Sequence, residues 1–92
     1  MTDGARAAIA LITNKRGLHA RASAKVVEAA ARFQAEVTVS KDGQTVSARS
    51  IMGLMMLAAS IGTHIQLRAE GPDADEALAA MLALIEAKFG EE

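Results

Sequence analysis

Ala35-Glu36-Val37-Thr38-Val39-Ser40-Lys41-Asp42-Gly43-Gln44-Thr45-Val46 predicts a β-hairpin near the middle of the chain. Apolar and polar side chains alternate along its first half, which is typical of a strand with one buried face. Asp42-Gly43 predicts a two-residue turn, because both central positions of such a turn need positive φ. This turn sets a register in which every inward residue faces another inward residue: Lys41 with Gln44, Val39 with Val46, and Val37 with Ala48.

Two further strands are predicted, one before the hairpin and one after it. Arg6–Thr13 is apolar and β-branched at Ile9 and Ile12, although its alanines obscure which face is buried. This pattern fits a strand packed on one side with small residues on the other. The later strand, Thr63–Glu70, alternates cleanly, with Ile65, Leu67 and Ala69 expected inward and His64, Gln66, Arg68 and Glu70 outward.

Three amphipathic helices are predicted from apolar residues that recur every three or four positions. They span His19 or Ala20 to Phe33, Ser50 to Ala59, and Asp73 to Phe89. Ser50 is expected to cap the second helix, since serine is among the best N-cap residues. Asp73 and Glu76 have the spacing of a capping box, and Gly90 is placed to end the third helix.

The order of elements is strand, helix, strand, strand, helix, strand, helix. Alternating strands need one covered face, and three amphipathic helices can cover it. We therefore predict an α+β protein, a two-layer open-faced sandwich on a four-stranded antiparallel sheet, with residues 1–92 forming a single domain. Because only 2% of the residues are aromatic, its core is expected to be aliphatic.

Composition argues against several classes of function. A net charge of −1 and the scarcity of aromatic residues disfavour a nucleic-acid partner. The chain has no cysteine, and His64 has no acidic or histidine cluster on its strand, so no metal site and no cofactor are expected. No apolar run is long enough to span a bilayer. A soluble, cytoplasmic protein is the expectation.

The chemistry is expected in the stretch Asn14–Ala24, which carries Gly17, His19 and Arg21 just before a helix. The first backbone N–H groups of a helix lack internal partners and carry partial positive charge, so they suit a phosphate. Arg21 adds donors that fit phosphate oxygens. A neutral imidazole is a competent nucleophile near pH 7, because the unperturbed pKa of histidine is about 6.5. His19 could therefore hold a phosphoryl group.

Other interpretations of the same residues stay open. A lone histidine where a loop meets a helix is usually a surface residue or a weak cap. A small α+β sandwich could instead be a ligand-binding regulatory module, since fold does not fix function. A third hypothesis is a nucleic-acid-binding domain whose basic patch comprises Lys15, Arg16, Arg21 and Lys25.

Two blocks resemble the HPr family, the histidine-containing phosphocarriers of the bacterial phosphotransferase system. Gly17–Ala24 resembles its active-site signature, and Ser50–Leu57 resembles its regulatory-serine segment. The resemblance extends in pattern from Ala7 to Phe89. One departure is Ala22, where the family commonly has proline, and this change should loosen the helix start slightly. The resemblance implies sheet order 1-4-2-3, with the three helices on one face.

The resemblance also implies a function. His19 would accept a phosphoryl group on the ring nitrogen nearer the backbone from enzyme I and pass it to an enzyme IIA-type histidine. Arg21 and the N–H groups near Ala20 and Arg21 would steady the phosphate. Such a protein is a stoichiometric carrier, not a turnover enzyme, and a monomer is expected. It could serve sugar transport or the nitrogen-related branch.

Regulation and docking are assigned to the second block and its surroundings. Ser50 would be phosphorylated by an HPr kinase/phosphorylase, although a simple cap explains the same residue. Leu54, Leu57 and Ala58 are expected to face inward. Methionine side chains are flexible enough to fit several partners, and the candidate docking residues are Leu18, Ala20, Ile51, Met52 and Met55. The C-terminal carboxylate at Glu92 is a further candidate neighbour of His19.

Overall fold

The architecture is a sheet of four strands covered by helices, seen in a computed structural model that describes residues 5–91. Its elements are β1 (Ala5–Leu11), α1 (Ala20–Ala30), β2 (Glu36–Lys41), β3 (Gln44–Ser47), α2 (Ile51–Met56), β4 (His64–Glu70) and α3 (Ala74–Glu86), followed by a 3₁₀ turn (Lys88–Gly90). All strand pairs are antiparallel, and the order is β1-β4-β2-β3. The predicted fold class and strand order are confirmed.

The β2–β3 hairpin has the predicted register. Val39 pairs with Val46 and Lys41 with Gln44. Asp42 and Gly43 have φ values of 50° and 83°, as a tight two-residue turn requires. The N–H of Ala48, which follows β3, donates to the carbonyl of Val37 over 2.8 Å. Val37 and Ala48 therefore lie side by side, as predicted.

The two strands in the β1–β4 pair differ in how clearly the sequence predicts their faces. The predicted alternation of β4 is confirmed, because Ile65, Leu67 and Ala69 are buried and the residues between them are exposed. In β1 the core position is Ala10, whereas the side chain of Ile9 is 69% exposed. Ala10 of β1 therefore faces the core, whereas the larger Ile9 and Leu11 face solvent.

All three helices end earlier than predicted. Helix α1 ends at Ala30, three residues before Phe33, and α2 ends at Met56. Ala58 has a φ of 55° and is exposed, so the inward position expected for it is wrong, and Ala59 is buried instead. Helix α3 ends at Glu86, before Gly90, because the chain turns to bring the ring of Phe89 into the core.

The helix caps give one confirmation and one correction. Ser50 caps α2 as predicted, and its Oγ accepts a hydrogen bond from the N–H of Gly53 over 3.0 Å. Asp73 makes no side-chain cap on α3, so the predicted capping box is wrong. Its carboxylate accepts instead from the N–H groups of Gln34 and Ala35 over 2.9 and 2.7 Å. It thereby joins the start of α3 to the segment before β2.

The core between sheet and helices is almost wholly aliphatic. The largest fully buried side chains include Phe89, Ile12, Leu54, Leu67 and Met81. Phe89 is the only aromatic residue among the buried hydrophobic side chains that the structure describes. No helix within residues 5–91 combines the length and apolar character needed to cross a membrane.

Candidate functional site

His19 is the N-cap residue of α1, so the predicted position at a helix start is confirmed. Its backbone is extended, with φ −76° and ψ −177°, and its carbonyl accepts from the N–H of Ser23 over 2.8 Å. The imidazole makes no capping bond to the helix. The first N–H groups of α1, including those of Ala20 and Arg21, have no partner within the helix and can receive an anion.

Gly17 fixes the path of the loop that leads to His19. It has a φ of 62°, and a Cβ built on it would lie 2.2 Å from the carbonyl oxygen of Ala59. That oxygen accepts the N–H of Leu18 over 2.9 Å. Only glycine allows both the left-handed conformation and this close approach. The loop is therefore held against the segment that follows α2.

The imidazole of His19 contacts a carboxylate from the far end of the chain. Its side chain is 21% exposed, and Nε2 is hydrogen-bonded to Oε2 of Glu91. The hydrogen bond with His19 is the main cause that lowers the pKa of the Glu91 carboxyl below its usual value, followed by a bond with Asn14. None of the described residues forms a hydrogen bond with Nδ1 of His19.

Asn14 is a buried residue that links the loop before His19 to the carboxylate of Glu91. Its Nδ2 donates to the carbonyl of Gly17 over 2.9 Å and to Oε1 of Glu91 over 3.2 Å. Its Oδ1 is buried without a partner among the described residues. Asn14 thus holds both the turn before His19 and the carboxylate beside it.

The ring of His19 lies in an open hollow with a positive lining. The hollow has a volume of about 430 Å³ and is lined by Lys15, Arg16, His19, Arg21, Gly90 and Glu91. Arg21 is exposed in the first turn of α1 and lines the same hollow as the imidazole. A helix start, a guanidinium and other cations together suit a phosphate-bearing partner.

The second histidine is not part of this site. His64 is exposed on β4 and lines a separate hollow, together with Ile9 and Lys41. Within residues 5–91, no group of three or more His, Cys, Asp or Glu side chains is arranged to hold a metal ion.

The residues of the second block lie on and around α2. Ile51, Met52 and Met55 are exposed, as expected of docking residues. Met56 is 70% exposed on the same short helix and was not among the predicted docking residues. Leu18 is only 6% exposed and belongs to the core, so its predicted docking role is wrong.

Two residues of the site were not predicted. Asn14 opens the motif stretch, but an asparagine in a polar segment that ends in glycine is ordinarily interpreted as a turn residue. Glu91 lies 72 positions from His19, and no periodicity or motif indicates that they meet. The α-carboxylate at Glu92, which the sequence suggested as a neighbour of His19, lies outside the described residues.

Comparison with known proteins assigns the chain to a family. The family model "PTS HPr component phosphorylation site" matches residues 7–87. A phosphocarrier protein HPr of Cupriavidus necator is 55% identical over 80 residues, covering 87% of this chain and 90% of that protein. A phosphocarrier protein NPr of Shewanella violacea is 48% identical over 80 residues, covering 87% and 88%.

A solved structure agrees with the sequence relatives. The crystal structure of HPr-C-His from Thermoanaerobacter tengcongensis superposes with a TM-score of 0.90 at 47% identity, covering 95% of this chain and 98% of that one. The family model and these relatives identify a small phosphocarrier of the phosphotransferase system. The chain belongs to the HPr family, which includes the NPr proteins.

Proposed function

We propose that the protein carries a phosphoryl group on Nδ1 of His19, taken from the phosphohistidine of an enzyme I and given to a histidine of an enzyme IIA-type protein. The observation that carries this proposal is the position of the ring. His19 is the N-cap residue of α1, beside N–H groups that have no partner within the helix. Glu91 is hydrogen-bonded to Nε2 of the ring, while Nδ1 has no partner among the described residues.

The transfer is a displacement at phosphorus between two ring nitrogens. The lone pair on Nδ1 of His19 forms the new N–P bond, while the donor's N–P bond breaks and its electron pair returns to the donor ring. The reverse exchange passes the group to the acceptor and restores His19. The protein is therefore consumed and regenerated stoichiometrically, as a carrier and not as a turnover enzyme.

The exposure of the site suits a carrier. Phosphoryl transfer needs chiefly alignment and stabilisation of charge. A carrier must also release what it accepts, so a deep, fully enclosed phosphate pocket would be a disadvantage. The hollow around His19 is open to solvent and offers one helix start and the guanidinium of Arg21.

The proposal is tested by mapping the phosphate. Incubation with an enzyme I and phosphoenolpyruvate should place one acid-labile phosphate on the wild-type protein. His19→Ala should abolish it, and His64→Ala should retain it, which is a matched control because the chain has two histidines. Label that persists in His19→Ala, or disappears in His64→Ala, would refute the assignment.

We propose further that Ser50 is a regulatory phosphorylation site for a kinase of the HPr kinase/phosphorylase type. Its Oγ caps α2, and the residue is half-buried. A phosphate at a helix start is electrostatically tolerated, so modification would add charge beside Ile51 and Met52 without unfolding the helix. ATP-dependent labelling should be lost in Ser50→Ala and kept in Ser47→Ala, which alters an exposed serine nearby. Retained label in Ser50→Ala would place the site elsewhere.

We propose that partners dock on the surface formed by Ala20, Ile51, Met52, Met55 and Met56. A charge placed there should weaken docking, because it must lose water on contact with an apolar partner surface. Met52→Glu should raise the apparent KM for transfer from enzyme I. Ile9→Glu is the control, since Ile9 and Met52 are both 69% exposed and lie on different surfaces. Equal effects would argue against this surface.

Both branches of the system remain candidate destinations for the phosphoryl group. The relatives include proteins named HPr and one named NPr. Offering the phosphorylated protein to a sugar-type and a nitrogen-type enzyme IIA and comparing the transfer rates would assign the branch.

A further inference from the structure

We propose that Glu91 is a positioning residue of this carrier: its carboxylate keeps the ring proton of His19 on Nε2 and so reserves Nδ1 for phosphorus. The inference rests on the proposed function, and it adds a residue from the C-terminal tail to the site. It is drawn from the contact between Oε2 of Glu91 and Nε2 of His19.

The tail that carries Glu91 is fixed at several points. The ring of Phe89 is 1% exposed and anchors the tail in the core. Nζ of Lys25, on α1, donates to the carbonyl of Phe89 over 2.7 Å. Gly90 follows with a φ of 76°, and a Cβ there would lie 3.2 Å from the same Nζ. The chain therefore passes tightly over Lys25 before it reaches His19.

The carboxylate itself is held on both oxygens. Oε2 faces the imidazole, and Oε1 accepts from Nδ2 of the buried Asn14 over 3.2 Å. Asn14 is in turn fixed by its bond to the carbonyl of Gly17. Asn14 thus holds the carboxylate independently of the imidazole, as expected of a partner that sets which ring nitrogen of a histidine carries the proton.

The charges around Glu91 favour its ionised form. Lys15, Arg16 and Arg21 line the same hollow, and the bond with His19 lowers the pKa of the Glu91 carboxyl. An ionised carboxylate can only accept hydrogen bonds. Nε2 must therefore be the donor, and in a neutral ring Nδ1 then carries the lone pair.

The same proton position serves both halves of the carrier cycle. On uptake, the Nδ1 lone pair forms the N–P bond, no proton needs to leave, and the ring's new positive charge lies beside the Glu91 carboxylate. On release, the electron pair of that bond returns to Nδ1, and the ring leaves as neutral imidazole because Nε2 kept its proton. Without that proton it would have to leave as an imidazolate, a far poorer leaving group.

The test compares Glu91→Ala, Glu91→Gln and Glu86→Ala. Glu86 is an exposed glutamate at the end of α3 and lies outside the hollow, so it serves as the control. Long-range ¹H–¹⁵N NMR of the neutral ring should show the Nε2–H form in wild type and in Glu86→Ala, and a mixture of both proton positions in Glu91→Ala. Phosphoryl uptake and onward transfer should both fall about ten-fold in Glu91→Ala, by analogy with the low end of the losses seen when the orienting partner of a metal-binding histidine is removed. Glu91→Gln should be intermediate, because its amide oxygen still accepts.

The outcomes separate this inference from the function on which it rests. If wild type is labelled on His19 and Glu91→Ala matches it in rate, the inference is overturned and the carrier assignment stands. A slower rate with an unchanged ring proton also overturns it, since Glu91 would then act by other means. If wild type accepts no phosphoryl group at all, the carrier assignment fails and this inference fails with it.

Discussion

Gly17 and Ala59 approach so closely that no side chain can stand between them. A Cβ on Gly17 would lie 2.2 Å from the carbonyl oxygen of Ala59 and 2.9 Å from Cα of Ser60. The same oxygen receives the N–H of Leu18. This contact joins the loop that carries His19 to the segment after α2, and so it fixes the proposed phosphorylation site relative to the proposed docking surface.

Gly17→Ala should destabilise the protein by more than the usual penalty for a left-handed alanine, which is about 1–2 kcal/mol. The additional loss of stability arises because the backbone at Ala59 and Ser60 must move to make room for the new Cβ. Gly43→Ala is the matched control, because Gly43 has a φ of 83° but no atom within 4 Å of the added Cβ. Urea unfolding of the two variants measures the difference, and equal losses would show that the contact with Ala59 is unimportant.

Ser50→Ala should lower the free energy of unfolding by about 1 kcal/mol, the typical effect of losing an N-cap. The hydrogen bond at stake is the one from the N–H of Gly53 to Oγ, over 3.0 Å. Ser50→Asp restores an acceptor and should be close to wild type. If the alanine variant is as stable as wild type in urea, the cap contributes nothing measurable.

Asp73 should make stability depend on pH in the acid range. Hydrogen bonding, chiefly from the N–H of Gln34, lowers the pKa of its carboxyl below the ordinary value of 3.8. The folded protein therefore binds this proton less readily than the unfolded chain does. The stabilisation of the folded state by ionised Asp73 is complete above pH 3.8. It declines as the pH falls through the lowered pKa that Asp73 has in the folded protein.

Asp73→Asn, which cannot ionise, isolates that contribution. The melting temperature of wild type should exceed that of the variant near pH 7, and the gap should narrow as the pH is lowered below 3.8. Thermal melts from pH 7 down to pH 2 provide the comparison. A gap that stays constant with pH would mean that the ionised carboxylate has no special role.

Arg21→Ala should slow phosphoryl transfer about ten-fold while leaving the fold intact. A charge-assisted hydrogen bond contributes about 1.5–3 kcal/mol, and the exposure of Arg21 places its effect at the low end. Arg32→Ala, in the turn after α1, removes an exposed arginine that does not line the hollow. Single-turnover transfer from phosphorylated enzyme I should distinguish the two, and similar rates would contradict the role of Arg21.

The elements that the sequence predicted well are those governed by neighbouring residues. The Asp42-Gly43 turn set the hairpin register, the period of two set the faces of β4, and Ser50 capped its own helix. His19 was also placed correctly, because a helix start depends on the few residues around it.

The misassigned features depend on distant residues. Asp73 has capping-box spacing, yet its carboxylate turns to backbone N–H groups 38 and 39 positions away. Helix α3 has apolar residues up to Phe89, yet the chain turns after Glu86 to bury that ring. The contact of Glu91 with His19 likewise arises only when the tail is folded over α1.

The most direct measurement is an NMR determination of which nitrogen carries phosphorus after reaction with enzyme I and phosphoenolpyruvate. Phosphorus–nitrogen coupling in ¹⁵N-labelled protein distinguishes the two ring nitrogens of His19 from each other and from those of His64. Phosphorus on Nδ1 of His19 is the predicted result. Phosphorus on Nε2 of His19 or on His64, or no phosphorylated histidine at all, would contradict the account.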